Sequence, residues 1–174
     1  DKKMEREIKK KEVRAQVDSL FDTPLMAKLV LGRAHWPKFS DEQKKTFTEL
    51  FIKALQDSYF DKVELLTDEY VEFDKPESVG EKIQMMTYII AKAKRYKMMF
   101  KLYKKKDVWL AYDAEIEGIS FVRTYSAQYD EFLQKNSPKD LLTKLREKTM
   151  DVPEELKAKK STEKTAEPAT KNTP

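Results

Sequence analysis

Asp113, Glu115 and Glu117 alternate through Tyr112–Gly118, and carboxylates two residues apart share one face of a strand. Such a row could bind a cation or pass protons. Either chemistry needs a second element that brings histidines or further acids to the same place, and no spacing in the chain supplies one. The single histidine is His35, beside Trp36, and there is no cysteine to share a metal with it. As a general base it would need an orienting acid and a nucleophile, which no motif marks. A loop histidine packed on its neighbours is expected instead. The acidic row reads as a solvated strand face, except at Asp113. That residue follows Tyr112 and precedes apolar residues, which suits a buried, hydrogen-bonded structural carboxylate better than catalysis.

Lys92–Lys106 mixes lysines with aromatic residues. A base-stacking platform needs both kinds on the same exposed face. On a strand, Tyr96 and Phe100 share the apolar side while Lys97 and Lys101 point away, so nucleic acid is not an expected partner. A basic rim that meets anionic lipid headgroups fits better. Met85, Met86, Met98 and Met99 fall on adjacent predicted strands. Methionine fills irregular gaps and tolerates mobile contacts, so the cluster suits either ordinary core or a pocket for flexible chains.

The elements that position these residues are helices, then strands, then helices. Met4 and Ile8 are isolated in the charged residues 1–12, read as a fraying, solvated helix. Val13, Val17, Leu20 and Phe21 then share a helix face. Asp22-Thr23-Pro24 starts a second helix, striped by Leu25, Met26, Leu29 and Val30 and stopped at Gly32. Ser40 and Gln43 form a capping box. The helix behind it carries Phe47, Leu50, Phe51, Ala54, Leu55 and Tyr59 on one face.

Strands are expected at Tyr70–Phe73, within Lys82–Ala91, around Tyr96–Tyr103 and over Asp107–Ile116, with Lys75–Glu81 as a turn. The last strand puts Leu110, Tyr112, Ala114 and Ile116 on one side. Connections are too short for helical crossovers, so the strands form an antiparallel meander. A helix with Ile119, Val122, Tyr125 and Tyr129 follows Gly118. Ser137-Pro138 caps another, bearing Leu141, Leu142 and Leu145. The expected fold is α+β: an antiparallel sheet of about four strands with helices packed on it, enclosing an apolar pocket. Three segments follow: a charged extension at 1–12, a domain at 13–150, and a polar tail at 151–174, disordered or in part a lone helix.

The 174 residues suit one core. Hydrophobic residues are 40% and charged residues 38%, the excess charge lying mostly at the ends. With 35 basic and 31 acidic residues, the net charge of +4 favours anionic partners only weakly. No apolar run approaches the ~20 residues that span a bilayer. Asp1 opens a charged stretch, not a signal peptide, so an exported protein starting here is expected to be the mature or trimmed form.

Three fragments carry a family resemblance. They are Phe21-Asp22 with Met26–Gly32, Trp36 with Ser40–Gln43 and Phe47, and Trp109 with Tyr112-Asp113 and Ile116–Ser120. Tyr125, Gln128 and Leu141-Leu142 continue them. In order and spacing over residues 17–148 the chain resembles the MlaC / toluene-tolerance family of periplasmic phospholipid carriers. Gly32 and Trp36 stand one residue further apart than the pattern, and the turn at Ala91–Lys94 lacks its usual glycine.

The resemblance implies a phospholipid shuttle across the periplasm of a Gram-negative bacterium that maintains outer-membrane lipid asymmetry. It implies two protein partners, an inner-membrane ABC transporter complex with a lipid-binding ring and an outer-membrane lipoprotein complex. It implies no catalysis, metal or cofactor, the bound phospholipid being cargo. Acyl tails would then lie in a dry hollow between the sheet and two helices. Phe47, Phe51, Leu55 and Tyr59 would form one wall, and Met98, Phe100, Leu102, Tyr112, Ala114 and Ile116, with Met85, the sheet wall. Ile119, Val122 and Tyr125 would close it, with Leu29 beside them. The alternative is a non-catalytic module that docks a protein through its aromatic face. An enzyme of cone-shaped α+β type would need a polar group deep in the pocket, and only Asp113 offers one.

Overall fold

The computed structural model describes residues 2–63, 70–91 and 94–161. Helix α1 (Lys2–Leu20) runs without interruption through the expected 1–12 boundary. The chain then forms one parallel bridge from Phe21 to Ala111 before α2 (Thr23–His35) begins. Asp22 caps α2 by accepting the Leu25 amide at 3.0 Å. At Gly32 the predicted stop is a kink: φ is +64°, a conformation that glycine enters without a Cβ penalty, and one more turn reaches His35. A short 3-10 turn, Trp36–Lys38, leads to α3 (Asp41–Val63). Its capping box is formed, with Gln43 N–H donating to Ser40 Oγ at 3.2 Å and Ser40 N–H to Gln43 Oε1 at 2.9 Å.

Among the described residues the antiparallel sheet has six strands where about four are expected. They are β1 (Tyr70–Phe73), β2 (Glu77–Val79), β3 (Lys82–Ala91), β4 (Lys94–Lys105), β5 (Val108–Ile116) and β6 (Ile119–Ser120). β1 and β2 pair with successive halves of one edge of β3, interrupted at Asp74–Pro76, where proline cannot donate to a ladder. β6 is a two-residue return of β5 over the Glu117–Gly118 turn. Ile119 is therefore in a strand, and α4 starts later, at Phe121–Leu133.

Helix α5 (Pro138–Arg146) has a complete capping box between Ser137 and Asp140. Beyond it the expected tail is partly folded: α6 spans Glu154–Ser161, and Leu156 is buried in the core with Met150 and Val152 packed beside it. The folded domain thus extends past the expected limit at 150. The remainder of the expected tail, 162–174, lies outside the described residues.

The core is mainly helical. Met26, Val30 and Leu31 of α2, Phe47 and Phe51 of α3, Tyr125 and Tyr129 of α4, and Leu141, Leu142 and Leu145 of α5 are buried together. The sheet meets this core along β5, which α2 and α4 contact.

Candidate functional site

The sheet has two chemically opposite faces. Pairing aligns Met98, Phe100 and Leu102 of β4 with Thr87, Met85 and Ile83 of β3. On the other side the same β4 residues align with Ile116, Ala114 and Ala111 of β5. Val71 and Phe73 of β1 continue the face through Ile89 and Thr87. These positions carry no charge. Toward the β4–β5 turn, the first charge along the face is Lys104, opposite Trp109.

This apolar face is covered unevenly. Ala111 and Ala114 are buried beneath the helices, Met98, Phe100 and Ile116 are partly buried against the core, and Phe21 meets Phe100 at 6.0 Å between ring centroids. Toward β3 and β1 the cover thins. Ile83, Met85 and Ile89 are half-buried, Val71 is exposed and Phe73 is 65% exposed. Thr87, in the middle, is buried, and its hydroxyl has no hydrogen-bond partner among the described residues. A surface of this kind offers apolar burial and little else.

Val71, Phe73, Ile83 and Ile89 are absent from the expected lining. Their signal was the period of two through Ile83, Met85, Thr87 and Ile89, which matches that of Met98, Phe100 and Leu102.

The expected lining divides. Phe47 and Phe51 are fully buried, their rings stacked at 5.7 Å and 3° and set edge-on to Tyr129, with Tyr125 also edge-on to Phe51. These rings fill the space between helices, so they are solid core and not the wall of a hollow. Leu55, Tyr59, Ile119 and Val122 sit partly buried at its margin. Tyr59 packs edge-on to Phe121 at 4.7 Å, with its hydroxyl 3.4 Å from that of Tyr125. Burial pushes the Tyr59, Tyr125 and Tyr129 hydroxyls above the usual phenol range, so they stay protonated.

Tyr112 is on the opposite face. Lys101 pairs with Asp113 but Leu102 pairs with Ala111, so a bulge leaves Tyr112 unpaired and reverses the alternation beyond it. Its ring lies 6.1 Å from Tyr103, with Lys82 Nζ 4.7 Å from its centroid. The methionines split likewise: Met85 and Met98 face the apolar side, whereas Met86 and Met99 line a small, largely polar cavity of about 110 Å³ with Asp74 and Tyr88. Leu29 is also displaced from the expected lining. It borders an open cleft of about 520 Å³ with Lys101, Asp113, Val122, Arg123 and Asp130.

The groups with chemical potential are engaged structurally. Asp113 is buried, accepting Ser120 Oγ–H at 2.6 Å and the Val122 amide at 3.0 Å, with Lys101 Nζ at 3.2 Å. Lys101 also meets Glu115 at 2.6 Å. Burial alone would lower the lysine's pKa, but Glu115 and Asp113 outweigh it and raise it, so the amine stays charged and is no nucleophile. His35 is buried, and its Nε2 lies 2.6 Å from Asp130 Oδ1, an acid that sequence spacing does not reveal. No group of three potential metal ligands occurs among the described residues.

The MlaC protein family model matches residues 1–147. Among curated proteins there is no match. Among solved structures, the chain is similar to a phospholipid-binding protein from Ralstonia solanacearum in complex with a phospholipid. The TM-score is 0.71 at 17% identity, covering 79% of this chain and 80% of that one. At that identity the likeness establishes a shared fold.

Proposed function

The chain belongs to the MlaC family, and from that premise we propose that it is a phospholipid carrier, holding acyl tails against the apolar face of the sheet. The observation that carries this reading is the thinning cover over Ile83, Met85, Ile89, Val71 and Phe73, a stretch of the face whose positions carry no charge.

A tail of ~16 carbons costs on the order of 12 kcal/mol to expose to water, at about 0.8 kcal/mol per methylene. Unassisted transfer between membranes is correspondingly slow. A carrier needs only a surface about as apolar as the bilayer interior. Six steps along β3 from Ile83 to Ile89 span roughly 20 Å, longer than the ~15 Å of one leaflet's hydrocarbon. One row of this face is therefore long enough for a tail. Net binding can remain modest, which suits pick-up and release in turn. The role is binding and transport, not catalysis. No helix among the described residues is long and apolar enough to cross a membrane.

The same reading assigns the protein to the periplasm, moving phospholipid between the inner and outer membranes in support of outer-membrane lipid asymmetry. Its exchange partners there would be an inner-membrane ABC transporter complex with a lipid-binding ring and an outer-membrane lipoprotein complex. Native mass spectrometry of protein purified from a Gram-negative host without detergent tests the cargo. A species heavier by one phospholipid is expected; apo protein alone under gentle conditions would remove the carrier reading.

A further inference from the structure

The hairpin joining β4 to β5 is built unlike the rest of the sheet. Its sequence is Lys104-Lys105-Lys106-Asp107-Val108-Trp109, turning where Lys106 takes a φ of +55°. Lys104 lies opposite Trp109 and Lys105 opposite Val108. Lys105 is committed to Asp22 at 2.8 Å, whereas Lys104 and Lys106 have no carboxylate partner among the described residues. Val108 is 58% exposed and Trp109 39% exposed, so a valine and an indole stand in water beside unneutralised ammonium groups.

The neighbouring turn repeats the pattern. Val79 is exposed and pairs with Lys82, and Lys82 pairs with Tyr103, which places both turns at the same end of the sheet. That end presents Lys82, Lys104, Lys105 and Lys106 against Asp22, Glu81 and Asp107, with Lys105 and Asp22 paired to each other.

Apolar tips set among cations match one kind of partner: an anionic bilayer surface. Indole is favoured at the headgroup level, where its ring is shielded and its N–H stays wet. Lysines just behind it gain from the negative surface potential, which decays within a Debye length. We propose that this end of the sheet is a membrane-docking edge, with Val108 and Trp109 entering the headgroup layer and Lys104 and Lys106 facing lipid phosphates. Trp109 and Lys104 continue the face that carries Leu102 and Ala111. A docked hairpin therefore brings the Leu102 end of the tail-binding face to the bilayer. The docking rests on exposure and charge; only its use in lipid pick-up rests on the carrier reading.

The test uses the full chain with Trp36→Phe, which leaves Trp109 as the sole tryptophan. Vesicles of phosphatidylglycerol and phosphatidylethanolamine are compared with phosphatidylcholine vesicles at low salt. Co-sedimentation and a blue shift of Trp109 emission are expected with the anionic vesicles only. Lys104→Glu with Lys106→Glu, and separately Val108→Asp, should weaken partitioning about tenfold or more. These residues are exposed or in the turn, so unchanged thermal melts are the folding control. No blue shift on anionic vesicles, or binding indifferent to both variants, overturns the proposal. Native mass spectra of the same preparations separate the two readings. Vesicle binding that depends on the tip, in protein without co-purified lipid, would sink the carrier and leave the docking edge standing.

Discussion

The Val122 amide donates to Asp113 Oδ1 at 3.0 Å, joining the first turn of α4 to the middle of β5. The other carboxylate oxygen takes Ser120 Oγ–H and faces Lys101, so one buried aspartate holds a strand, a helix start and a cation together. Asp113→Ala leaves Lys101 with only Glu115 and orphans the amide and hydroxyl. Loss of a buried partner of this kind costs about 3–5 kcal/mol. Asp113→Asn should cost less, because its carbonyl oxygen still accepts the amide. Urea denaturation measures both; a loss under about 1 kcal/mol for the alanine variant would mean that the carboxylate is not the tie.

Asp22 makes a second tie, and it predicts a pH dependence. Burial pushes its pKa up, but hydrogen bonds from Lys105, Tyr103 and the Leu25 amide outweigh burial and hold it below the usual carboxylate value of 3.8. A carboxyl lowered on folding stabilises the native state fully above its unfolded pKa. That contribution is lost as pH falls through the folded value. Wild type should therefore lose stability steeply below about pH 4. Asp22→Asn should be less stable at neutral pH, with a flatter acid limb. Urea midpoints taken across the acid range check this, and parallel acid limbs would remove Asp22 as a contributor.

Local chemistry made much of this legible. Ser40 with Gln43 and Ser137 with Asp140 mark the starts of α3 and α5, because a capping side chain works within one turn of its own backbone. Strand alternation gives β3 to β5 for the same reason. What escapes is set by distant contacts. The bulge at Tyr112 inserts one residue, and a period of two carries no mark of where it breaks. Phe47 and Phe73 are equally hydrophobic, yet only packing by α4 and α5 makes one core and leaves the other exposed. His35 meets Asp130 across 95 residues, a separation no spacing rule spans.

Leu156 shows how little signal a docking segment needs. It is the one large apolar residue in Glu154–Ser161, and it is buried behind Val152-Pro153. Leu156→Ala should cost about 2–5 kcal/mol, as for other buried leucines. Removing the chain from Pro153 onward should cost at least as much. A change within about 0.5 kcal/mol in thermal or urea unfolding would mean that α6 does not seal the core.

Cargo retention and stability should separate along the apolar residues. Phe73 is 65% exposed, so Phe73→Ser should alter stability by no more than about 0.5 kcal/mol. It should nevertheless reduce co-purified phospholipid, and Met85→Lys should abolish it, because an ammonium then stands in the row beside Phe100. Phe51→Ala works the other way: it opens a cavity in a filled aromatic stack and should cost about 3–5 kcal/mol. Ala114→Trp, at a fully buried site, overpacks by about 1–3 kcal/mol, and its effect on cargo is read only after that loss is measured. Native mass spectra and urea midpoints on the same set decide the matter. If Phe73→Ser and Met85→Lys keep their lipid while Phe51→Ala loses it at unchanged stability, the tails lie among the helices and not on the sheet.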